Sequence, residues 1–255
     1  MMTTLAPAPR ALRPVERACV LVGLLLFAAG LLHLAVFVVD GGPWYGPVSW
    51  RKPVTFGLSF GVTLLAVAWV ASYLRIGERT RNVVLGLFAA DCVLEVGGIT
   101  LQAWRRRPSH LNMETTFDTV VSMGLAVGGV LLVVLLTVLA VAVFRRGAGG
   151  PAGMPLALRA GFAYLLVGLA SGAVMIARGV ILTRTGHQVD AYASTGVLKP
   201  LHGVSLHAVL VLPALAWLMD VRTTWSAEVR ERVVRGGVWA YGVAAAGALA
   251  WGLVA

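Results

Sequence analysis

Residues 117–144 read FDTVVSMGLAVGGVLLVVLLTVLAVAVF, and between Asp118 and Arg145 no side chain carries a formal charge. About 20 such residues cross the roughly 30 Å hydrocarbon core of a bilayer as a helix. An amphipathic helix of a soluble domain would show a charged stripe at a period of 3.6 residues, and this segment shows none. It reads as a transmembrane helix, long enough to tilt or to extend past the bilayer.

Working outward, the same pattern recurs at 18–39, 54–74, 82–104, 160–182, 203–220 and 236–254. With 117–144 that makes seven runs, the last rich in Ala and Gly. The composition agrees. Of 255 residues, 58% are hydrophobic and 13% are charged, against about 25% charged in an average soluble domain. The mean hydropathy is +0.84. These values argue against a soluble globular enzyme and against a disordered chain. The expected fold class is all-α, a polytopic membrane helix bundle of about seven transmembrane helices with a cytoplasmic N-terminus. Residues 1–16, rich in Thr, Ala and Pro, read as a short disordered cytoplasmic tail, and 17–255 as a single seven-helix transmembrane domain. The first run is too long for a signal-peptide core. Asp40-Gly41-Gly42-Pro43 follows it rather than a small-x-small cleavage site, so the helix is expected to be retained. The expected location is the cell membrane, multi-pass.

Lys and Arg number 21 against 11 Asp and Glu, a net charge of +10. In a soluble protein that balance suggests nucleic acid. Here most basic residues lie between apolar runs, where they meet lipid headgroups and set orientation, so membrane lipids are the expected partners and nucleic acid is not. With the N-terminus inside, 13 basic residues fall on the inner side and 8 on the outer: Arg51, Lys52, Arg105, Arg106, Arg107, Arg178, Arg184 and Lys199. The bias favours that orientation. The outer eight are unusual, because basic residues on the translocated side oppose insertion. Cys19 and Cys92 both lie in apolar runs, which argues against a disulfide framework.

Gly57-x-x-x-Gly61, Gly124-x-x-x-Gly128 and Gly168-x-x-x-Gly172 let helix backbones approach closely, mostly within one bundle and otherwise in a homo-oligomer. Trp44, Tyr45, Trp50 and Trp104 fall near span boundaries, as interfacial aromatics do.

Ionisable side chains inside spans are costly and mark function by default. The third span carries Asp91 and Glu95, one helical turn apart, with Gln102 on the same face and Arg105 extending it to the boundary. That face is expected to line the bundle interior. His33, His110, His187, His202 and His207 all fall in the outer half, as do Lys52, Asn112, Asp118 and Arg178. Histidines with a carboxylate suit a transition metal. His202 and His207, five residues apart, stand about 140° apart on a helix and cannot share one ion there. His33 and His207 sit at comparable depth, so a metal or a haem held between them is one expectation. A second use is electrostatic. Lys52, Arg105, Arg178 and Lys199 suit a phosphate or carboxylate headgroup. A desolvated Asp91 or Glu95 suits general acid chemistry on a lipid-like substrate.

Three segments together carry a resemblance: Trp50-Arg51-Lys52-Pro53 with Phe56 and Ser59; Glu95 through Gln102 to Arg105, then Ser109-His110-x-Asn112; and Lys199-Pro200-Leu201-His202-Gly203 with His207-Ala208 and Leu212-Pro213. The combination resembles a widespread group of uncharacterised bacterial seven-helix membrane proteins, with the patterns W-x-K-P-x-x-F, Q-x-x-R-G-x-x-S-H-F-N and H-x-x-G-x-H-A-x-Q-x-L-P. It spans about residues 50–215 and implies a seven-helix fold and a choice of residues, not a reaction. Arg106 stands where the group has Gly, Leu111 replaces its Phe, and Leu210 replaces its Gln. Ser205 replaces the Gly between the histidines, with a Gly at Gly203 instead. The group's D-G-G-P-G stretch before the sixth helix is replaced by residues 190–196, so the loop over the histidine pair is remodelled.

The expectation is an integral membrane protein with a polar site in the outer half of the bundle. It is read as a membrane-embedded enzyme acting on a lipid-like, isoprenoid or quinone-like substrate, with or without metal or haem. Glu95, His110, His202 and Asp91 are the expected catalytic residues. Lys52, Gln102, Arg105, Asn112 and Arg178 are expected to bind substrate, and His33 and His207 a metal. The alternatives are a transporter or proton-coupled permease, and a non-catalytic membrane sensor or assembly subunit. Polar residues stop near the outer half, which leaves a transport path incomplete.

Overall fold

The structure, a computed structural model, describes residues 12–193 and 196–254. Among these it is all-helical: α1 Pro14–Asp40, α2 Arg51–Ala71, α3 Glu78–Trp104, α4 Thr116–Arg146, α5 Met154–Arg184, α6 Gln188–Ala193, α7 Lys199–Arg222 and α8 Ala227–Val254. All but α6 are long and apolar enough to cross a membrane, seven in number. The chain is thus an integral membrane protein of seven spans. Residues 1–11 of the expected tail lie outside the described residues, and α1 opens at Pro14, inside the stretch read as tail.

Each long helix begins earlier than its apolar run. Hydropathy marks only the lipid-soluble part, whereas helical hydrogen bonding continues through polar residues. Pro14 and Pro155 sit in the first turns of α1 and α5, where the missing N–H costs nothing. The largest difference is α8, which starts at Ala227 rather than near 236. Its charged first turns are steadied by Arg235 on Glu231 at 3.0 Å and by Arg230 on Asp220 of α7. The short α6 was not expected. Conversely α2 ends at Ala71, before the expected 74. Leu74 leaves the helix to pair with Ala148, and Gly149 N–H donates to Tyr73 O at 2.9 Å.

The helices alternate in direction. The connections 41–50, 105–115 and 185–198 share one end, called here the Lys52 end. The connections 72–77, 147–153 and 223–226 share the other, the Arg81 end.

Glycines set the two closest helix pairs. A methyl group at Gly57 of α2 would lie 2.7 Å from Gly30 Cα of α1, and one at Gly61 would lie 2.7 Å from Gly23 O. On α5, one at Gly161 would lie 3.0 Å from Ala208 O of α7, and one at Gly168 would lie 3.0 Å from Leu206 N. Backbone contact at this range gives the van der Waals packing that associates helices in lipid. Between these pairs lies a core that includes Leu64, Val67, Leu85, Phe88, Leu139, Leu158, Phe162 and Leu212. At the Arg81 end, buried Arg81 donates to Ala71 O and to Leu74 O and lies 3.8 Å from Glu16, tying α1, α2 and α3 together.

Candidate functional site

Helix α3 positions most of the polar side chains. Asp91, Glu95, Ile99 and Gln102 share its inner face and are all buried, as the spacing predicts. Asp91 and Glu95 both point at Gly128 of α4, the second glycine of the 124/128 pair. A methyl group there would lie 2.6 Å from Glu95 Oε1 and 2.8 Å from Asp91 Oδ1. This glycine makes room for two carboxyls rather than for another helix. Asp91 Oδ2 is buried with no hydrogen-bond partner.

Gln102 and Arg105 both hydrogen-bond to Asp118. Gln102 Nε2 donates to Asp118 Oδ1 at 2.9 Å, and Arg105 donates to Gln102 Oε1 at 2.5 Å and to Asp118 Oδ1 at 2.6 Å. Thr115 Oγ1 donates to Asp118 Oδ2 at 2.8 Å and accepts from Asp118 N at 3.1 Å, capping α4. The Arg105 guanidinium also stacks on Phe117, 4.3 Å from the ring centre. Asp118 is the hub, fully buried. Sequence reasoning noted its depth but not its role, although Thr-x-x-Asp at a helix start was the available signal.

The other two arginines of the run are paired as well. Arg106 donates to Asp40 at 2.6 Å, where Trp50 Nε1 donates too at 2.6 Å, and Arg107 meets Glu114 at 2.9 Å. The cluster that looked like an unbalanced positive patch is therefore matched acid for base. Sequence could not show this, because Asp40 lies 66 positions away from Arg106.

Further expected ligands also hydrogen-bond within the chain. Asn112 donates to Pro108 O at 3.2 Å and accepts from Glu114 N at 3.1 Å, shaping the loop that holds it. His33 uses both ring nitrogens: Nδ1 donates to Ala29 O at 2.7 Å, and Nε2 accepts from Trp104 Nε1 at 3.2 Å. His202 Nδ1 donates to Gly168 O at 2.7 Å, its ring lying against Gly172 of α5. His207 is exposed, with Nδ1 on Gly203 O at 2.6 Å. The two histidines of α7 diverge as the 140° spacing requires. Arg178 is exposed on α5.

What remains is a narrow crevice at the Lys52 end, with no water-sized space inside it, between the 41–50 connection, the start of α2 and the end of α3. Ser49, Lys52, Ile99, Ala103, Arg107 and Ser109 line it, with Pro47. Ser49 Oγ is buried and has no hydrogen-bond partner. Ser109 is buried, its Oγ 2.9 Å from His110 Nδ1. Burial, and then the Lys52 ammonium beside it, push His110 down to about 4, so the ring is neutral at pH 7. Arg51 and Lys52 open α2 and Lys199 opens α7, two helices that pack together. None of the three has an acidic partner among the described residues. Sequence had singled out Lys52 and His110 here. It had no signal for Ser49, which is one serine in an irregular stretch.

Comparisons with protein-family models, with curated proteins and with solved structures find no match for this chain.

The donor set fits a metal or haem poorly. No three His, Cys, Asp or Glu among the described residues are grouped to hold an ion. His33 would have to give up its bond to Trp104 to become a ligand, and His207 looks outward from α7. The same enclosure of His33, between Trp50 and Trp104 with ring centres 6.1 and 6.3 Å away, makes it a packing residue of the aromatic belt.

Proposed function

We propose that this protein is a membrane-embedded enzyme acting on a lipid-like substrate at the Lys52 end, with Ser109 and His110 as the reacting pair. The observation that carries the reading is the 2.9 Å contact between Ser109 Oγ and a neutral His110 Nδ1 on the wall of the crevice that also holds Lys52. The reaction class is ester cleavage or transfer. Ser109 Oγ attacks an acyl carbon or a phosphorus atom and its proton passes to His110 Nδ1. The leaving alkoxide departs with that proton. A water or a second alcohol then attacks and gives its proton to His110, which passes it to Ser109 Oγ as the bond to serine breaks, restoring both groups. Lys52 stands beside the oxyanion that develops.

Ile99 separates Asp91 and Glu95 from the crevice, and His202 is turned towards Gly168, so none of the three enters this step. The buried face of α3 between Arg81 and Asp91 consists of Val84, Leu85, Phe88 and Ala89, which favours this reading over a proton-coupled permease. The excess of basic residues at the Arg81 end supports a cytoplasmic N-terminus in a cell membrane, with the crevice opening at the outer headgroup level.

A fluorophosphonate probe tests the reading on the full chain in detergent. Labelling is expected at Ser109, abolished by Ser109→Ala and slowed about 100-fold by His110→Gln. No labelling of the wild type, or labelling unchanged in Ser109→Ala, removes it.

A further inference from the structure

We propose that Ser49, Lys52, Arg51 and Lys199 form a binding site for a phosphate group, carried by a lipid headgroup. The inference rests on the reading of the Lys52 crevice as the reacting site and names the class of molecule that enters it.

Three observations converge. First, Arg51 and Lys52 open α2 and Lys199 opens α7, helices that pack together and both start at the Lys52 end; none of the three has a carboxylate partner among the described residues, while Arg105, Arg106 and Arg107 at the same end each have one. A bundle that matches three arginines acid for base and leaves three cations unmatched at the same end lacks an anion there. Second, both cation-bearing elements are helix N-termini. Neither α2 at Trp50 nor α7 at Leu198 has a side-chain cap. Their dipoles add positive potential of the same sign. Third, Ser49 lines the crevice with Lys52, is 8% exposed as a residue, and its buried Oγ has no hydrogen-bond partner. An unpaired buried hydroxyl is unfavourable, and a phosphate oxygen would satisfy it.

Arginine, lysine and hydroxyl donors together match a tetrahedral oxyanion with several acceptor oxygens. The lipid origin follows from the setting: the crevice opens beside the aromatic belt of Trp44, Tyr45, Trp50 and Trp104, at the level where headgroups lie. The neighbouring Ser109 then faces the ester linkage next to the bound phosphate.

The test measures binding, not turnover, on the detergent-purified full chain. Probes are a short-chain phosphatidate, the matching phosphatidylcholine, and inorganic phosphate, read by native mass spectrometry and by thermal shift. Phosphatidate is expected to bind at least about 10-fold more tightly than phosphatidylcholine. Lys52→Gln and Ser49→Ala are each expected to remove most of that preference. Arg184→Gln, the same charge change on exposed α5 at the same end, should leave it intact. Inorganic phosphate binding as tightly as phosphatidate, with the same loss in Lys52→Gln, supports the oxyanion site but assigns it to the free ion. No preference in the wild type overturns the proposal. So does a preference that survives both site variants, or one that falls equally in Arg184→Gln. Helical circular dichroism and the Tm of each variant separate loss of the site from loss of the fold. The Ser109 labelling reaction is independent of this outcome, so either reading can fail alone.

Discussion

Arg105 and Asp118 are joined at 2.6 Å across the turn between α3 and α4, the carboxylate fully buried and the guanidinium lying over Phe117. Gln102 and Thr115 bond to the same carboxylate, and the network fixes how α3 hands over to α4.

Asp118→Ala should therefore act on stability. It strands Arg105, the Gln102 amide and the Thr115 hydroxyl at once, and an ion pair broken on one side leaves a charge without its partner. The expected outcome is a Tm at least about 5 °C lower in detergent. Asp118→Asn, which keeps acceptor and shape, should lose less. Equal Tm values for wild type and Asp118→Ala would contradict the role assigned to the network.

Gly128 and the two carboxyls should be coupled. Gly128→Ala places a methyl group 2.6 Å from Glu95 Oε1, and overpacking of this kind costs about 1–3 kcal/mol. Shortening the opposing chain in Glu95→Ala makes space for it. A double-mutant cycle on Tm or unfolding free energy should show the Gly128→Ala penalty shrinking markedly in the Glu95→Ala background. Simple additivity would mean that the carboxyl does not occupy the space over Gly128.

His110 carries a pH dependence whose sign follows from its environment. Its folded value, about 4, is below the ordinary 6.5, because burial and Lys52 disfavour the charged ring. The unfolded chain therefore binds a proton first as pH falls. The stability contributed by neutral His110 is whole above about pH 6.5, declines from there to about pH 4, and is lost below that. His110→Phe, which keeps a ring beside Phe56, should flatten that part of the stability profile. A wild-type and variant pair with parallel profiles between pH 4 and 6.5 would contradict a buried neutral imidazole.

His33 should behave as a hydrogen-bonded packing residue. His33→Phe should lower Tm modestly through the lost Ala29 and Trp104 contacts, and the wild type and the variant should have the same visible spectrum and metal content. A Soret band or a stoichiometric metal lost in His33→Phe would reinstate the ligand role.

Much of the architecture was legible in the chain. Residues 117–144 and their six counterparts identify seven spans because hydrocarbon tolerates only long uncharged helices, a constraint written locally in the sequence. The inward face of Asp91, Glu95 and Gln102 was legible too, since helical spacing alone keeps such side chains from lipid. The 140° divergence of His202 and His207 followed from the same geometry.

Only tertiary structure decided which polar residues are free. Arg105, Arg106 and Arg107 look alike in the sequence, as does Lys52 a span away. Three of these four are matched by Asp118, Asp40 and Glu114, and Lys52 is not. Asn112 and His33 likewise looked like ligands until their bonds to the chain were in place. The reason is physical. Span hydrophobicity and helical facing depend on neighbours within a few turns, whereas the pairing of a charge depends on whichever acid the packing of other helices brings within 3 Å.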